Sequence, residues 1–220
     1  MWILTSLGRP DRIRRVVESY DWEGERVILA LYDGDARLPE YLSQQWPEDW
    51  TIETVSMLGN GPTYNEILRR YPNERSYGFL ADDAVLDEQG MLRVLREAAS
   101  DWCVAYPNDK HWGPTLPTMP CMGGKLVRAV GYLAPDCLMH MAIDNAWGEI
   151  GRRLGVLRYF NHLTYTHLNP IWGTAEDDRT YRLARSNSVD YERLYRGWLI
   201  GGELDRAIDR VKAAMLEKAA

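Results

Sequence analysis

Short apolar segments alternate with amphipathic helical segments through the first half of this 220-residue chain. "MWILTSL" and "RVILALYDGD" have the continuous apolar character of buried strands. The helical pattern "PDRIRRVVESY" follows the first of these strands, and the helical pattern "YNEILRRY" follows a third strand, "TIETVSM". Strands that alternate with helices are typical of an α/β unit. The sequence therefore predicts an α/β fold with a mostly parallel central sheet.

The second half continues the pattern and then changes character. "DEQGMLRVLREAAS" and "HMAIDNAWGEIGRRLG" predict helices, "GGKLVRAVGYLAP" a short helix, and "WCVAYP" and "LRYFNHLTYTHL" strands. Residues 108–121 contain three prolines and predict a long loop near the functional face. We expect a domain over residues 1–178 and an Arg-rich extension of two helices over 179–220, packed on the core or on a partner subunit in a homodimer.

Composition narrows the class of protein. Hydrophobic residues make up 45% of the chain and charged residues 26%, which is typical of a soluble globular protein. We find neither an apolar run of the roughly 20 residues that cross a bilayer nor a signal-peptide arrangement, so we expect a cytoplasmic protein. The 3 cysteines form no CxxC pair and are expected to be buried thiols. A net charge of −6 argues only weakly against nucleic-acid binding, because a local basic groove can coexist with it.

Polar residues stand at the predicted carboxyl end of each early strand. In parallel α/β sheets ligands bind at this edge. Residues able to hold an anionic nucleotide recur there: Thr5 and Ser6, Asp33 and Asp35, the "GNG" turn with Asn65, and Asp82 and Asp83. Their recurrence at one edge predicts a ligand site.

The stretch "YGFLADDAVL" brings two adjacent carboxylates to the end of a buried strand. Neighbouring carboxylates repel one another and are costly to desolvate, so a cation or hydroxyl groups must satisfy them. Oxygen ligands of this kind suit Mg²⁺ or Mn²⁺. The alternative is that Asp82 and Asp83 only cap or begin a turn, which Asp favours.

The order and spacing of these motifs resemble those of nucleotide-sugar-dependent glycosyltransferases with the Rossmann-like GT-A fold, over residues 1–178. "LTSLGRPDR", "LYDGD" and "GPTYNEIL" are similar to the family's nucleotide-binding segments, and "LADD" to its Asp-x-Asp motif with Ala81 in place of the first aspartate. The resemblance implies that Asp83 binds the metal and that Asp82 faces the ribose or sugar. It also implies donor-binding roles for Thr5, Ser6, Arg9, Asp33 and Asn65.

Three downstream motifs extend the resemblance. "MAIDNAW" is similar to the element that supplies the catalytic base of inverting members, which implies that Asp144 is the base; the alternative is a helix N-terminal aspartate that interacts with the macrodipole. "TYTHLNP" is similar to the late strand whose His completes the metal site, which implies that His167 is a metal ligand. The alternative is a structural role, which is more common for a lone His. The resemblance also implies that Trp112, Gly123 and Gly124 lie in the region that contacts the acceptor. The alternative for the two glycines is a plain turn before a helix.

The resemblance thus implies a metal-dependent glycosyltransferase that uses Mn²⁺ or Mg²⁺ and a nucleotide-sugar donor, with a UDP-sugar favoured. The acceptor could be a modified base in phage DNA, a glycan or a small molecule. The run "DDRTYRLARSNSVDYERLYRGW" could contact a phosphate backbone, but a solvated helix face is preferred. Retention of anomeric configuration stays open. The alternatives are a sugar nucleotidyltransferase and a noncatalytic sugar-nucleotide-binding module.

Overall fold

The computed structural model describes residues 1–56, 59–186 and 188–217. Its strands form one sheet in the order β3-β2-β1-β4-β7-β6-β8-β5. The strands are β1 (Trp2–Ser6), β2 (Val27–Tyr32), β3 (Trp50–Val55), β4 (Ser76–Ala81), β5 (Ala84–Leu86), β6 (Val104–Asn108), β7 (Cys121–Gly123) and β8 (Leu157–His167).

Helices connect these strands and cover both faces of the sheet. They are α1 (Pro10–Glu18), α2 (Leu38–Leu42), α3 (Asn60–Arg70), α4 (Met91–Ala98), α5 (Gly124–Val130), α6 (Ile143–Leu154), α7 (Arg179–Ser186), α8 (Ser188–Ile200) and α9 (Glu203–Glu217). Short 3₁₀ turns lie at Gly113–Thr115 and Pro170–Trp172.

The sheet is mostly parallel, which confirms the predicted α/β class. β1 pairs in parallel with β2 and β4, β2 with β3, and β6 with β8. The antiparallel pairs are those of β7 with β4 and β6 and that of β5 with β8. Because β7 is antiparallel to both β4 and β6, those two strands run in the same direction. β1, β2, β3, β4, β6 and β8 therefore all end at one edge, which we call the carboxyl edge.

Two apolar layers form the core, one on each face of the sheet. Successive side chains of a strand point to opposite faces: in β1, Ile3 belongs to the cluster that contains α6, whereas Trp2 and Leu4 belong to the cluster that contains α1. All three side chains are fully buried. This burial on both faces explains why the predicted strands read as continuous apolar runs.

The C-terminal extension is helical, as expected, and packs on the core of the same chain. Trp198 of α8 and Leu204, Ile208 and Val211 of α9 are buried in one cluster with residues of α5 and α6. The structure divides the extension into α7, α8 and α9, where the sequence predicted two helices. The boundary at residue 178 stays an interpretation, since one apolar cluster includes residues from both sides of it.

Other expectations concern the cysteines and membrane contact. Cys103, Cys121 and Cys137 are free thiols, with Cys121 buried and the other two partly buried. Among the described helices, none combines the length and the apolar character needed to span a bilayer.

Gly123 and Gly124 do not lie where the resemblance implied. β7 runs against β4, so Gly123 pairs with Ser76, the first residue of β4, at the edge opposite the carboxyl edge. A Cβ at Gly123 would clash with the Asp101 carbonyl oxygen, and one at Gly124 with that of Glu74. Close backbone packing, rather than an acceptor pocket, explains both glycines.

We expect Gly123→Ala to lower the free energy of unfolding by about 1–3 kcal/mol, because the backbone around Asp101 must shift to admit the methyl group. Gly197→Ala is the matched control: Gly197 lies in α8 with open space around it, so the added methyl should be neutral or stabilise by up to ~1 kcal/mol. Urea denaturation measures both. Equal stability of Gly123→Ala and the native chain would contradict the packing argument.

Candidate functional site

The carboxyl edge collects polar side chains from strands far apart in sequence. Ser6 ends β1, Asp82 and Asp83 follow β4, Asp109 follows β6, and His167 ends β8. Ser6, Asp82, Asp83 and Asp109 are buried, each less than 8% exposed. Buried polar groups need partners, so the contacts of each residue indicate what it can do.

Asp82 is held by the loop that follows β1. Ser6 Oγ donates to Asp82 Oδ2 at 2.6 Å, and Arg9 Nη1 donates to Asp82 Oδ1 at 3.1 Å. Tyr41 supports this loop, because its hydroxyl lies 2.7 Å from Ser6 Oγ and accepts from the Arg9 backbone N at 2.7 Å. Burial, followed by the charge of Asp83, raises the pKa of Asp82 to about 6. Both oxygens of Asp82 are thus engaged by protein donors.

Asp83 is turned toward β8 and α7. His167 Nε2 lies 3.5 Å from Asp83 Oδ1, and the Tyr181 hydroxyl donates to Asp83 Oδ2 at 2.8 Å. Burial alone would raise the pKa of Asp83, but the contacts with His167 and Tyr181 outweigh it and leave that pKa below its usual value. For His167, burial lowers the pKa and the Asp83 carboxylate raises it, with a net upward shift. The carboxyl group of Asp83 is therefore the more acidic of the two.

Asp83 and His167 fit a divalent cation as two of its ligands. Mg²⁺ prefers octahedral geometry with bonds of about 2.1 Å, so two neighbouring ligands are roughly 3 Å apart. The 3.5 Å between Asp83 Oδ1 and His167 Nε2 is close to that separation. No cluster of three or more His, Cys, Asp or Glu residues that could hold a metal occurs in the described ranges. The pair suits a cation that takes its remaining ligands from water and phosphate oxygens.

The expected nucleotide-side residues are in two groups. Thr5 Oγ1 donates to Asn60 Oδ1 at 3.2 Å at the start of α3, and Asp33 is exposed beyond β2, where its Oδ2 accepts from Ser56 at 2.6 Å. Asn65 is placed differently from the expectation. Its amide N donates to the Ala134 carbonyl at 2.8 Å, and its Oδ1 accepts from the backbone N of residues 133 and 134. Asn60, not Asn65, lies beside Thr5.

The start of α3 packs tightly on the segment that precedes α6. The backbone N of Gly61 donates to the Met139 carbonyl at 3.0 Å. A Cβ at Gly61 would clash with the Leu138 carbonyl oxygen, so only glycine fits here. The two segments are in direct backbone contact.

Asp144 lies in the first turn of α6, a helix that begins after Ala142 in a left-handed conformation with φ of 68°. Its Oδ1 accepts from the Asn145 backbone N at 2.9 Å. Burial raises the pKa of Asp144 to about 6, and the charge of His167 opposes that shift. A carboxyl group whose pKa is raised in this way is suited to act as a general base near neutral pH.

An aromatic group lies next to His167. The His111 and Trp172 rings stack with centroids 3.8 Å apart, and the Trp172 and His167 rings meet edge to face at 5.1 Å. Trp112, the predicted acceptor residue, is 51% exposed. Flat rings with an exposed face suit contact with a sugar or a base.

Sequence reasoning missed several residues of this edge. Asp109 Oδ1 accepts from the backbone N of residues 111–113, and its Oδ2 is buried without a partner among the described residues. Asp109 could have been predicted from the sequence, because it directly follows the strand β6. Asp178 and Tyr181 have no such signal, because they reach the edge from a distant segment.

Comparisons with known proteins give matches only at the level of structure. No protein-family model and no curated protein sequence matches the chain. A mannosyltransferase, PcManGT from Pyrobaculum calidifontis in complex with GDP-Man and Mn²⁺, matches 99% of this chain and 74% of its own with a TM-score of 0.66 and 12% identity. The chain has a GT-A-like glycosyltransferase fold.

Two further structures share this GT-A-like fold. TarS from S. aureus matches 97% of this chain at 13% identity with a TM-score of 0.54, and the chain spans 50% of its length. A mycobacterial protein matches 76% of this chain and 67% of its own at 12% identity, with a TM-score of 0.51. At these identities the likeness establishes the fold, and the chemistry must come from the side chains.

We expect Asp144→Asn to stabilise the fold at pH 7.5. Since burial raises the pKa of Asp144 to about 6, well above that of an aspartate in the unfolded chain, ionising it on the folded chain costs free energy, and the cost vanishes as the pH falls below about 4. The substitution should raise stability by about 1–3 kcal/mol at pH 7.5 and have little effect near pH 4. Chemical denaturation at the two pH values measures this. Asp209→Asn, the same substitution at an exposed position of α9, is the control.

Proposed function

We propose that the protein is a metal-dependent glycosyltransferase, which moves a sugar from a nucleotide-sugar donor to a hydroxyl group of an acceptor with inversion at the anomeric carbon. The observation that carries the proposal is the pair Asp83 and His167, 3.5 Å apart at the carboxyl edge of a GT-A-like sheet. The Mn²⁺ and GDP-Man of PcManGT, which shares this fold, support the choice of cofactor and donor.

Asp83 and His167 would hold Mn²⁺ or Mg²⁺, which when bound offsets the negative charge of the departing nucleoside diphosphate. Thr5 and Asp33 are assigned to the nucleoside, since both lie at the same edge with polar atoms near the end of their strands. Ser6 and Arg9 fix Asp82, which is assigned to the ribose or sugar. The roles of Asp83, His167, Thr5, Asp33 and Asp82 follow the resemblance, and that of Ser6 and Arg9 in fixing Asp82 follows from their contacts.

Asp144 is assigned as the base. Its carboxylate accepts the proton of the acceptor hydroxyl while the hydroxyl oxygen forms a bond to the anomeric carbon. The bond from that carbon to the diphosphate oxygen breaks on the opposite side, and the nucleoside diphosphate leaves with the electron pair. Direct displacement of this kind inverts the anomeric centre.

The acceptor is assigned to the side formed by Trp112, Trp172 and His111. Their rings suit a glycan, a small molecule or a modified base. The C-terminal arginines favour the first two, because several pair within their own segment: Arg185 with Asp177 at 2.6 Å and Arg196 with Glu192 at 2.6 Å. Paired arginines contribute less to phosphate contacts.

A donor panel tests the proposal. The full chain is incubated with Mn²⁺ and UDP-, GDP- and dTDP-sugars, and released nucleoside diphosphate is measured. We expect slow hydrolysis of one donor that EDTA abolishes. Asp83→Asn should abolish it too, because the cation loses its charged ligand. Asp144→Asn should lower turnover about 10²- to 10⁴-fold and leave donor affinity nearly unchanged.

Two outcomes separate the proposal from its alternatives. Asp209→Asn, on the outer face of α9, is the control and should behave like the native chain. Donor binding without turnover in the native chain would indicate a noncatalytic binding module. No metal-dependent binding of any donor would contradict the proposed function.

The pH profile tests the assignment of the base. Since the pKa of Asp144 is about 6, we expect kcat/KM to be constant above pH 7 and to fall about tenfold per pH unit below pH 6, where the base is protonated. His167 loses a proton when it ligates a cation, so the profile is measured at Mn²⁺ concentrations high enough that doubling them changes nothing. A flat profile from pH 5 to 8 would exclude Asp144 as the base.

A further inference from the structure

Two arginines of α1 and its preceding loop hold one carboxylate from the far end of the chain. Arg9 Nη2 donates to Asp178 Oδ1 at 2.7 Å, and Arg12 Nη2 lies 3.0 Å from Asp178 Oδ2. The side chain of Arg9 is 8% exposed and that of Arg12 is 18% exposed. This is a partly desolvated anion site with one guanidinium on each oxygen of its occupant.

Tyr181 completes the same contact one turn into α7. Its hydroxyl donates to Asp83 Oδ2, accepts from Arg12 Nη1 at 2.7 Å, and touches the Leu168 carbonyl oxygen. The Arg9 and Arg12 guanidinium carbons lie 4.3 and 4.9 Å from the ring centroid of Tyr181. We call residues 178–181 the plug, because its side chains cover the Asp82 and Asp83 pair.

The chemistry of the plug is that of a diphosphate and a cation. Arginine binds carboxylate and phosphate oxygens in the same forked geometry, so Asp178 stands where a phosphate group would be bound. The Tyr181 hydroxyl donates a hydrogen bond to Asp83 Oδ2, an oxygen that a cation would otherwise be free to use. Arg9 Nε is buried without a partner in the described part of the chain, so Arg9 retains a donor that the plug does not satisfy.

The plug is attached in a way that allows it to leave. Residues 173–178, which connect it to the 3₁₀ turn at Pro170–Trp172, contain no helix or strand and are largely exposed. Few buried contacts oppose movement of such a segment. Its attachment to the carboxyl edge is mainly polar and can be exchanged for the polar contacts of a ligand.

We propose that Arg9 and Arg12 together form the diphosphate-binding pair of the donor site, and that the plug occupies this pair as an internal stand-in until a nucleoside diphosphate and a cation displace it. This inference rests on the proposed function and adds to it a further binding residue, Arg12, and a competitive form of self-inhibition. Donor binds only the molecules in which the plug has left the arginine pair. The apparent donor affinity is therefore the intrinsic affinity multiplied by the fraction of molecules in which the plug has left.

Calorimetric titration of the full chain with UDP and GDP, each with Mn²⁺, tests the competition. Asp178→Asn removes the negative charge but keeps an oxygen that can accept from the Tyr181 backbone N, as Asp178 does now at 3.0 Å. We expect about tenfold tighter binding of the preferred diphosphate than to the native chain. Tyr181→Phe, which keeps the ring and frees Asp83, should also bind more tightly.

Asp177→Asn is the matched control. Asp177 is the neighbouring carboxylate, pairs with Arg182 and Arg185, and makes no ion pair with Arg9 or Arg12 among the described contacts. Its substitution should leave diphosphate affinity unchanged. In the Asp178→Asn background, Arg12→Gln should weaken binding about tenfold, because the second guanidinium is lost.

Limited trypsin digestion measures the position of the plug without reference to activity. Arg179, Arg182 and Arg185 are exposed cleavage points within α7. We expect diphosphate with Mn²⁺ to accelerate cleavage there in the native chain, and Asp178→Asn to accelerate it without ligand. Slower cleavage with ligand would mean that the segment closes over the donor, which overturns the proposal.

The binding results separate this inference from the proposed function. If the native chain, Asp178→Asn and Tyr181→Phe bind the diphosphate equally well, or if either variant binds it more weakly, the donor site stands and the competing plug is overturned. If no variant binds either diphosphate, the proposed function fails and the plug fails with it.

Discussion

Asp82 and Asp83 place two neighbouring carboxylates in a largely water-free position, and much of the carboxyl edge is arranged around that constraint. An uncompensated buried charge costs several kcal/mol. Arg9 and Ser6 satisfy Asp82, while His167 and Tyr181 satisfy Asp83. The partners come from the loop after β1, the end of β8 and the start of α7, so three distant parts of the chain converge on one dipeptide.

The two aspartates differ because their partners differ. Arg9 and Ser6 occupy both oxygens of Asp82, yet burial and the adjacent charge still raise its pKa to about 6. Asp83 keeps a lowered pKa because an imidazole and a phenol hydroxyl face it. Under the proposed function this difference suits Asp83 to ligation and Asp82 to orientation, although Ala81 stands where the family motif has its first aspartate.

Local periodicity was enough to predict most of the fold, and long-range pairing was not. The strands β1, β2 and β4 can be predicted from their continuous apolar sequence, which results from the burial of both faces of the sheet. β5 and β7 have three residues each, too few for a period to show, and their antiparallel pairing depends on neighbours distant in sequence. The acceptor-side role of Gly123 was implied by the resemblance, and its pairing, within β7, with Ser76 of β4 places it at the opposite edge.

The site divides along the same line. Ser6, Asp82 and Asp83 were expected at this edge because they stand at or just after the end of a strand, and strand ends meet there, whereas His167 was implied by the resemblance. Asn65 and Asn60 lie on the same helix, and only three-dimensional packing decides which of the two reaches Thr5. Tyr181 and Asp178 do not follow a predicted strand, so no pattern in the sequence indicates that they contact residues near the beginning of the chain.

The close approach of Gly61 to residues 138 and 139 joins two parts of the edge that have different tasks. Asn60, beside Thr5, begins α3, and the segment that Gly61 touches leads into α6, which carries Asp144. With no side chain between the two backbones, a shift of one segment is passed to the other without slack. Under the proposed function these two segments adjoin the donor and carry the base, so a substitution that displaces one backbone is expected to affect both donor binding and proton transfer.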